Sequence, residues 1–129
     1  MSGNLLDTNV VLFTLTDDPR LSPTIRSAVA AGPNLLSVVS YWEVLIKSMK
    51  GGLDVGDPRI WWARALEHLV AVPLTVRPEH IAGIYTLPPI HKDPFDRLLI
   101  AQASVESCTF VTTDSDIPRY VSDNLRVVV

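Results

Sequence analysis

Every extended apolar run in this chain is separated from the next by a helical stretch, and that alternation restricts the sheet it can build. Helix starts are written as a capping residue followed by proline at Ser22-Pro23, Asp57-Pro58 and Asp93-Pro94. The cap side chain can take an orphan backbone N–H, and proline loses no hydrogen bond in the first turn. These signals and the apolar patterning predict strands at 4–7, 34–39, 71–75, 110–112 and 126–129. Helical stretches fall at 8–15, 23–31, 40–50, 58–70, from Pro78 onward, and 94–106. Gly32-Pro33 and Gly51-Gly52 stop two of them. No two-residue hairpin signal joins any pair of strands. Strands that cannot form hairpins must pair in parallel, so the expected fold is α/β: a central parallel sheet of four to five strands, flanked by helices. The 129 residues suit one domain, 1–129, and a hydrophobic fraction of 47% gives it enough material for a core.

Open parallel sheets bind ligands beyond the carboxyl ends of their strands. Four acids fall there. Asp7 ends the first strand, Glu43 sits in the first turn after the second, Asp96 opens the helix after His91-Lys92-Asp93, and Asp114 follows the fourth strand. Each has a local explanation. Ser40-Tyr41-Trp42-Glu43 matches a capping box, Asp93 and Asp96 suit a helix N-terminus, Asp114 can cap the turn at Ser115-Asp116, and Asp7 can cap the helix after it. Capping does not require four acids at one rim, however. Their mutual repulsion there calls for a cation. With no His or Cys pair at zinc spacing, an all-carboxylate set points to Mg²⁺ or Mn²⁺ and to phosphoryl chemistry with metal-activated water. The net charge of −3 weighs against nucleic acid as a partner. Two divalent cations held by these acids would reverse its sign.

At the same residues the chain resembles the PIN-domain family, and within it the VapC-type toxin ribonucleases. The matching stretches are Leu5-Leu6-Asp7-Thr8-Asn9-Val10, Ser37-Val38-Val39-Ser40 leading to Glu43, the run from Asp93-Pro94-Phe95-Asp96-Arg97 to Ala103, and Val111-Thr112-Thr113-Asp114. The resemblance spans almost the whole chain. It implies a compact Rossmann-like sheet and a Mg²⁺- or Mn²⁺-dependent endoribonuclease, the toxin of a type II toxin–antitoxin system. The acidic quartet maps onto Asp7, Glu43, Asp96 and Asp114 as both catalytic and metal-holding residues, with Asp116 as the alternative fourth acid. It further implies a cognate antitoxin protein as inhibitor, an RNA substrate and a homodimer.

Thr8, Asn9 and Thr112 are candidate supports for the acids, and Lys47, Lys50 and Arg97 candidate substrate contacts. Lys47 and Lys50 share a helical stripe with Glu43, suited either to a surface ion pair or to an RNA backbone. Arg97 is read as holding a carboxylate or the substrate. His68, His80 and His91 carry no ligand spacing, and surface or loop positions are expected. Adjacent Trp61 and Trp62 cannot both face the core, so one should lie at a boundary. Cys108, the single cysteine, should be a buried thiol. No apolar run is long enough to span a bilayer and Asp7 interrupts any signal stretch, so a cytoplasmic protein is expected.

Competing readings are a non-catalytic PIN-like or receiver-like binding module and a housekeeping RNA-processing nuclease. A receiver module would want adjacent acids at the end of its first strand. A haloacid-dehalogenase-like phosphatase would want an acid two residues after Asp7, where Asn9 stands. A structure-specific DNA nuclease would carry clamp segments not found here.

Overall fold

A computed structural model describes residues 3–122 and 125–129. Five strands form one sheet: β1 (Asn4–Leu6), β2 (Asn34–Ser37), β3 (Ala71–Leu74), β4 (Thr109–Val111) and β5 (Arg126–Val128). Their order is β3-β2-β1-β4-β5, and every neighbouring pair is parallel. Six helices connect them: α1 (Thr8–Leu15), α2 (Pro23–Ala31), α3 (Val38–Met49), α4 (Pro58–His68), α5 (Pro78–Ile84) and α6 (Pro94–Val105). A short 3₁₀ turn spans Ile117–Tyr120.

The strands are short, so each contributes few side chains, and the period-two alternation sends those to opposite faces. Leu5 pairs with Leu35 and Phe110, and all three enter one core layer with Leu98, Leu99 and Ile100 of α6. The next residues along, Leu6, Leu36 and Val111, enter the other layer with Val10 and Val11 of α1, Ile25 of α2 and Trp61 of α4. A sheet covered on both faces explains why its strands read as continuous apolar runs.

The cap-plus-proline signals act as expected. Ser22 Oγ accepts from Ile25 N, Asp57 from Arg59 N and Asp93 from Phe95 N. Strand order reverses at β1, which has β2 on one side and β4 on the other. The carboxyl end of β1 is therefore the topological switch point, where a crevice opens between diverging connections. Asp7 stands at that point.

Most boundaries fall within two residues of the sequence expectation, and the β2–α3 junction differs in kind. Helix α3 begins at Val38, with Ser37 as its cap, and not at Ser40. Strand β2 passes into α3 with no intervening loop, so the β-branched pair Val38-Val39, which reads as strand, is the first turn of the helix.

Candidate metal centre

Asp7 is buried, with each carboxylate oxygen held by one donor. Oδ1 accepts from Thr8 N at 2.8 Å, capping α1, and Oδ2 accepts from Thr112 Oγ1 at 2.7 Å. Desolvation raises its pKa above the ordinary carboxylate range, with the charges of Glu43 and Asp114 adding to the rise; the two hydrogen bonds act the other way. Glu43 is also buried. Its Oε1 accepts from Thr8 Oγ1 at 2.7 Å and its Oε2 from Lys47 Nζ at 2.8 Å. Thr8 has a single hydroxyl proton, which goes to Glu43, so the Ser40 hydroxyl, 2.9 Å away, must donate to Thr8.

These contacts overturn the capping-box reading of Ser40 and Glu43. Ser40 lies inside the first turn of α3, and both side chains turn toward Thr8. Sequence spacing identified the two residues but assigned them the wrong partner.

Asp96 is the third residue of α6. Its backbone N–H reaches Asp93 Oδ1 at 3.2 Å, and among the described residues no hydrogen bond reaches its carboxylate. That half-buried group is pushed up to about 7, chiefly by burial, then by the charges of Asp7, Asp93 and Glu43. Asp114 accepts from Asp116 N through Oδ1 at 2.9 Å and from His91 Nε2 through Oδ2 at 2.8 Å. Thr112 Oγ1, while donating to Asp7, accepts from Asp114 N at 3.0 Å. One hydroxyl thus links the first acid to the backbone of the fourth. Changing Thr112 to Val should weaken Mn²⁺ binding by about 10–100-fold, the usual range for losing a group that orients a ligand. Isothermal titration would show it, and an unchanged affinity would remove Thr112 from the site.

The fold therefore gathers all four acids into one electrostatically coupled group, with Thr8 and Thr112 between them. Asn9 is exposed, and its side chain makes no hydrogen bond to the group among the described residues. Asp116 is exposed, but it comes together with His91 and Asp114, one ligand atom from each lying within 4.8 Å of the others. Lys47 lies inside the group, paired to Glu43. Lys50, exposed at the end of α3, is about 10 Å along the helix from Glu43 at 1.5 Å per residue.

Among the described residues Arg97 pairs with no carboxylate. Its guanidinium donates to the carbonyls of Pro88 (3.0 Å), Ile84 (3.2 Å) and His91 (3.3 Å), tying down the α5–α6 connection. Successive helical residues point about 100° apart, so the neighbour of a site acid faces elsewhere.

Of the histidines, His80 departs from expectation, while His91 keeps a loop position before α6. His80 is fully buried, its Nε2 2.7 Å from Glu106 Oε2. His91 is partly buried. Tyr120 Oη accepts from His91 N at 2.8 Å and lies 3.0 Å from its Nδ1, so the tyrosine proton goes to Nδ1 and Nε2–H faces Asp114. The only sequence signal was the position of His91 two residues before the Asp93 cap. Of the paired tryptophans, Trp61 enters the core and Trp62 stacks at the boundary on Tyr41, centroids 4.8 Å apart. Cys108 is buried, as expected. A groove of about 830 Å³ bordered by Leu15, Leu21, Val29, Pro33 and Leu69 adjoins the amino ends of β2 and β3, at the opposite edge of the sheet from the acids.

A parallel sheet with this strand order, covered by helices on both faces and with acids at its switch point, defines an open α/β protein. The chain belongs to the PIN domain family, whose model matches residues 5–122. Comparison with curated protein sequences finds no match. Among solved structures, the chain is similar to one in VapBC2 from Rickettsia felis bound to a DNA fragment from its promoter: 14% identity, TM-score 0.69, covering 99% of this chain and 98% of that one. DNA-bound VapBC from Salmonella typhimurium gives 17% identity and TM-score 0.69 over the same shares. VapBC-1 from nontypeable Haemophilus influenzae gives 20% identity and TM-score 0.65, covering 99% and 97%. At these identities the likeness is one of fold. Among the described residues no helix is long and apolar enough to cross a membrane.

Proposed function

We propose that this chain is a Mg²⁺- or Mn²⁺-dependent endoribonuclease, the VapC-type toxin of a type II toxin–antitoxin pair, working as a single domain in the cytoplasm. The observation that carries the reading is the Asp96 carboxylate, which takes no hydrogen bond among the described residues and is pushed up to about 7 beside Asp7, Glu43 and Asp93. A fold that collects acids at such electrostatic cost is poised for a cation that relieves it. The donor set is all carboxylate oxygen, which suits hard divalent ions and not zinc. Asp7, Glu43 and Asp96 would hold the ion, and Asp114 would complete the set. When bound, such an ion activates water at neutral pH and neutralises charge on the phosphodiester.

The remaining work falls to the chain itself. Thr8 fixes Glu43, and Thr112 fixes Asp7, so these carboxylates are oriented before substrate arrives. Lys47 and Lys50 lend positive charge to an RNA backbone along α3. His91 holds Asp114 in place. A cognate antitoxin is the expected partner, given the VapBC structures that share the fold. A homodimer would cover apolar side chains such as Tyr85, which is 94% exposed, and Ile81.

Labelled single-stranded RNA should be cut by the purified protein with Mg²⁺ or Mn²⁺, and not with excess chelator. Cleavage that survives the chelator would reject the metal; a well-folded protein that cuts no RNA with either ion would reject the nuclease.

A further inference from the structure

We infer that the Trp42 indole is a stacking platform for an unpaired nucleobase next to the phosphate held at the acids, so that the site takes single-stranded and not duplex RNA. The inference rests on the nuclease reading above and names a contact which that reading does not use. Trp61 enters the core and Trp62 is covered by Tyr41, whereas Trp42 is 55% exposed. It precedes Glu43 in α3, and its ring meets that of Phe95, which precedes Asp96 in α6. The aromatic pair therefore spans the α3–α6 junction beside two of the acids.

The geometry suits a fixed platform. The ring centroids lie 4.8 Å apart with the planes at 76°, an edge-to-face contact that leaves at least one indole face open. Phe95 is half-buried against the core, so it anchors the exposed ring and reduces the entropy lost when something binds there. The surroundings decide what that occupant is. Glu43 and Lys47 form an ion pair on the same helix, and Lys47 also feels the charges of Asp93 and Asp96. An apolar protein face laid on Trp42 would strip water from these groups without pairing them. A nucleotide meets both halves of the surface, with a π-face for the indole and a phosphate for Lys47 and the cation. A base inside a duplex is already stacked and turned inward, so only an unpaired one reaches the ring.

The test is binding of a short dye-labelled RNA, single-stranded or annealed to its complement, followed by anisotropy in Ca²⁺. It is run on wild type, Trp42→Ala and Trp42→Tyr, with a melting curve and sedimentation on each. Single-strand affinity should fall about 5–100-fold in Trp42→Ala and stay near wild type in Trp42→Tyr, with duplex binding unchanged by either. In wild type the single strand, and not the duplex, should quench tryptophan fluorescence. Unquenched wild type, equal single-strand affinity in a folded Trp42→Ala, or an equal loss on the duplex would overturn the inference and leave the nuclease reading standing. A Trp42→Ala chain that sediments as a smaller species would assign the ring to a second copy of the chain and overturn it as well. No RNA bound by wild type would overturn both readings.

Discussion

Asp96→Asn should abolish RNA cleavage, by at least about 10³-fold in kcat/KM, while making the metal-free protein more stable at alkaline pH. The two effects share one cause. In the folded protein the Asp96 carboxyl is raised from 3.8 to about 7, so the native state keeps a proton that the unfolded chain releases near the ordinary value. The stabilisation from that proton is complete below about pH 4 and is lost as pH rises through about 7. Above neutrality, wild type without metal carries an ionised Asp96 against Asp7, Glu43 and Asp93, whereas the variant carries a neutral amide. Melting curves in chelator should therefore place the variant above wild type at pH 8, with the gap closing toward pH 5. Added Mg²⁺ should reverse the order at pH 8, because only wild type has the full charge to bind it. A variant that melts with wild type at every pH would show that Asp96 is not held in the coupled group.

The second large effect concerns a residue further along the helix that carries Asp96. Gln102→Leu should destabilise the fold by about 2–4 kcal/mol, from buried polar groups left without partners. Gln102 is fully buried on α6, and its Oε1 accepts from Ser37 Oγ at 2.6 Å. Its Nε2 donates to Thr75 O at 3.2 Å and lies 3.3 Å from His80 Nδ1. The network continues through His80 to Glu106, which also takes Arg77 and whose pKa is lowered, first by His80. Leucine fills the space but returns nothing to Ser37 or His80. Ser37 caps α3, the helix that carries Glu43, so metal affinity should fall together with stability. Urea unfolding measures the first effect and Mn²⁺ titration the second. A loss below about 0.5 kcal/mol would show that the network is dispensable.

What could be read from the chain followed local rules. Cap-plus-proline pairs fix helix starts, because the physics of the first turn is written within four residues. Helices between every pair of strands fix a parallel sheet, and a parallel sheet sends Asp7 and Asp114 to the same rim. The resemblance carried by the Asp93–Ala103 stretch and the Leu5–Val10 stretch agrees with the family the chain belongs to.

What could not be read depended on contacts between distant segments. Ser40 and Glu43 fit a local capping box as well as they fit Thr8, 35 residues away from Glu43, and only the approach of α1 to α3 decides. Gln102 sits in an apolar helix where periodicity marks burial but not the hydroxyl and imidazole it meets. His80 and His91 lack spacing because each partners an acid more than twenty residues away. Arg97 and Lys47 show the opposite limits of proximity in sequence. Arg97 is adjacent to a site acid yet faces the α5–α6 connection, whereas Lys47, a full turn past Glu43, reaches into the cluster.

The most direct measurement is anomalous diffraction from crystals grown with Mn²⁺. A peak within about 2.0–2.4 Å of carboxylate oxygens from both Asp7 and Asp96 would bear out the shared ion. Density for water alone between those side chains, with manganese bound elsewhere or not at all, would contradict it.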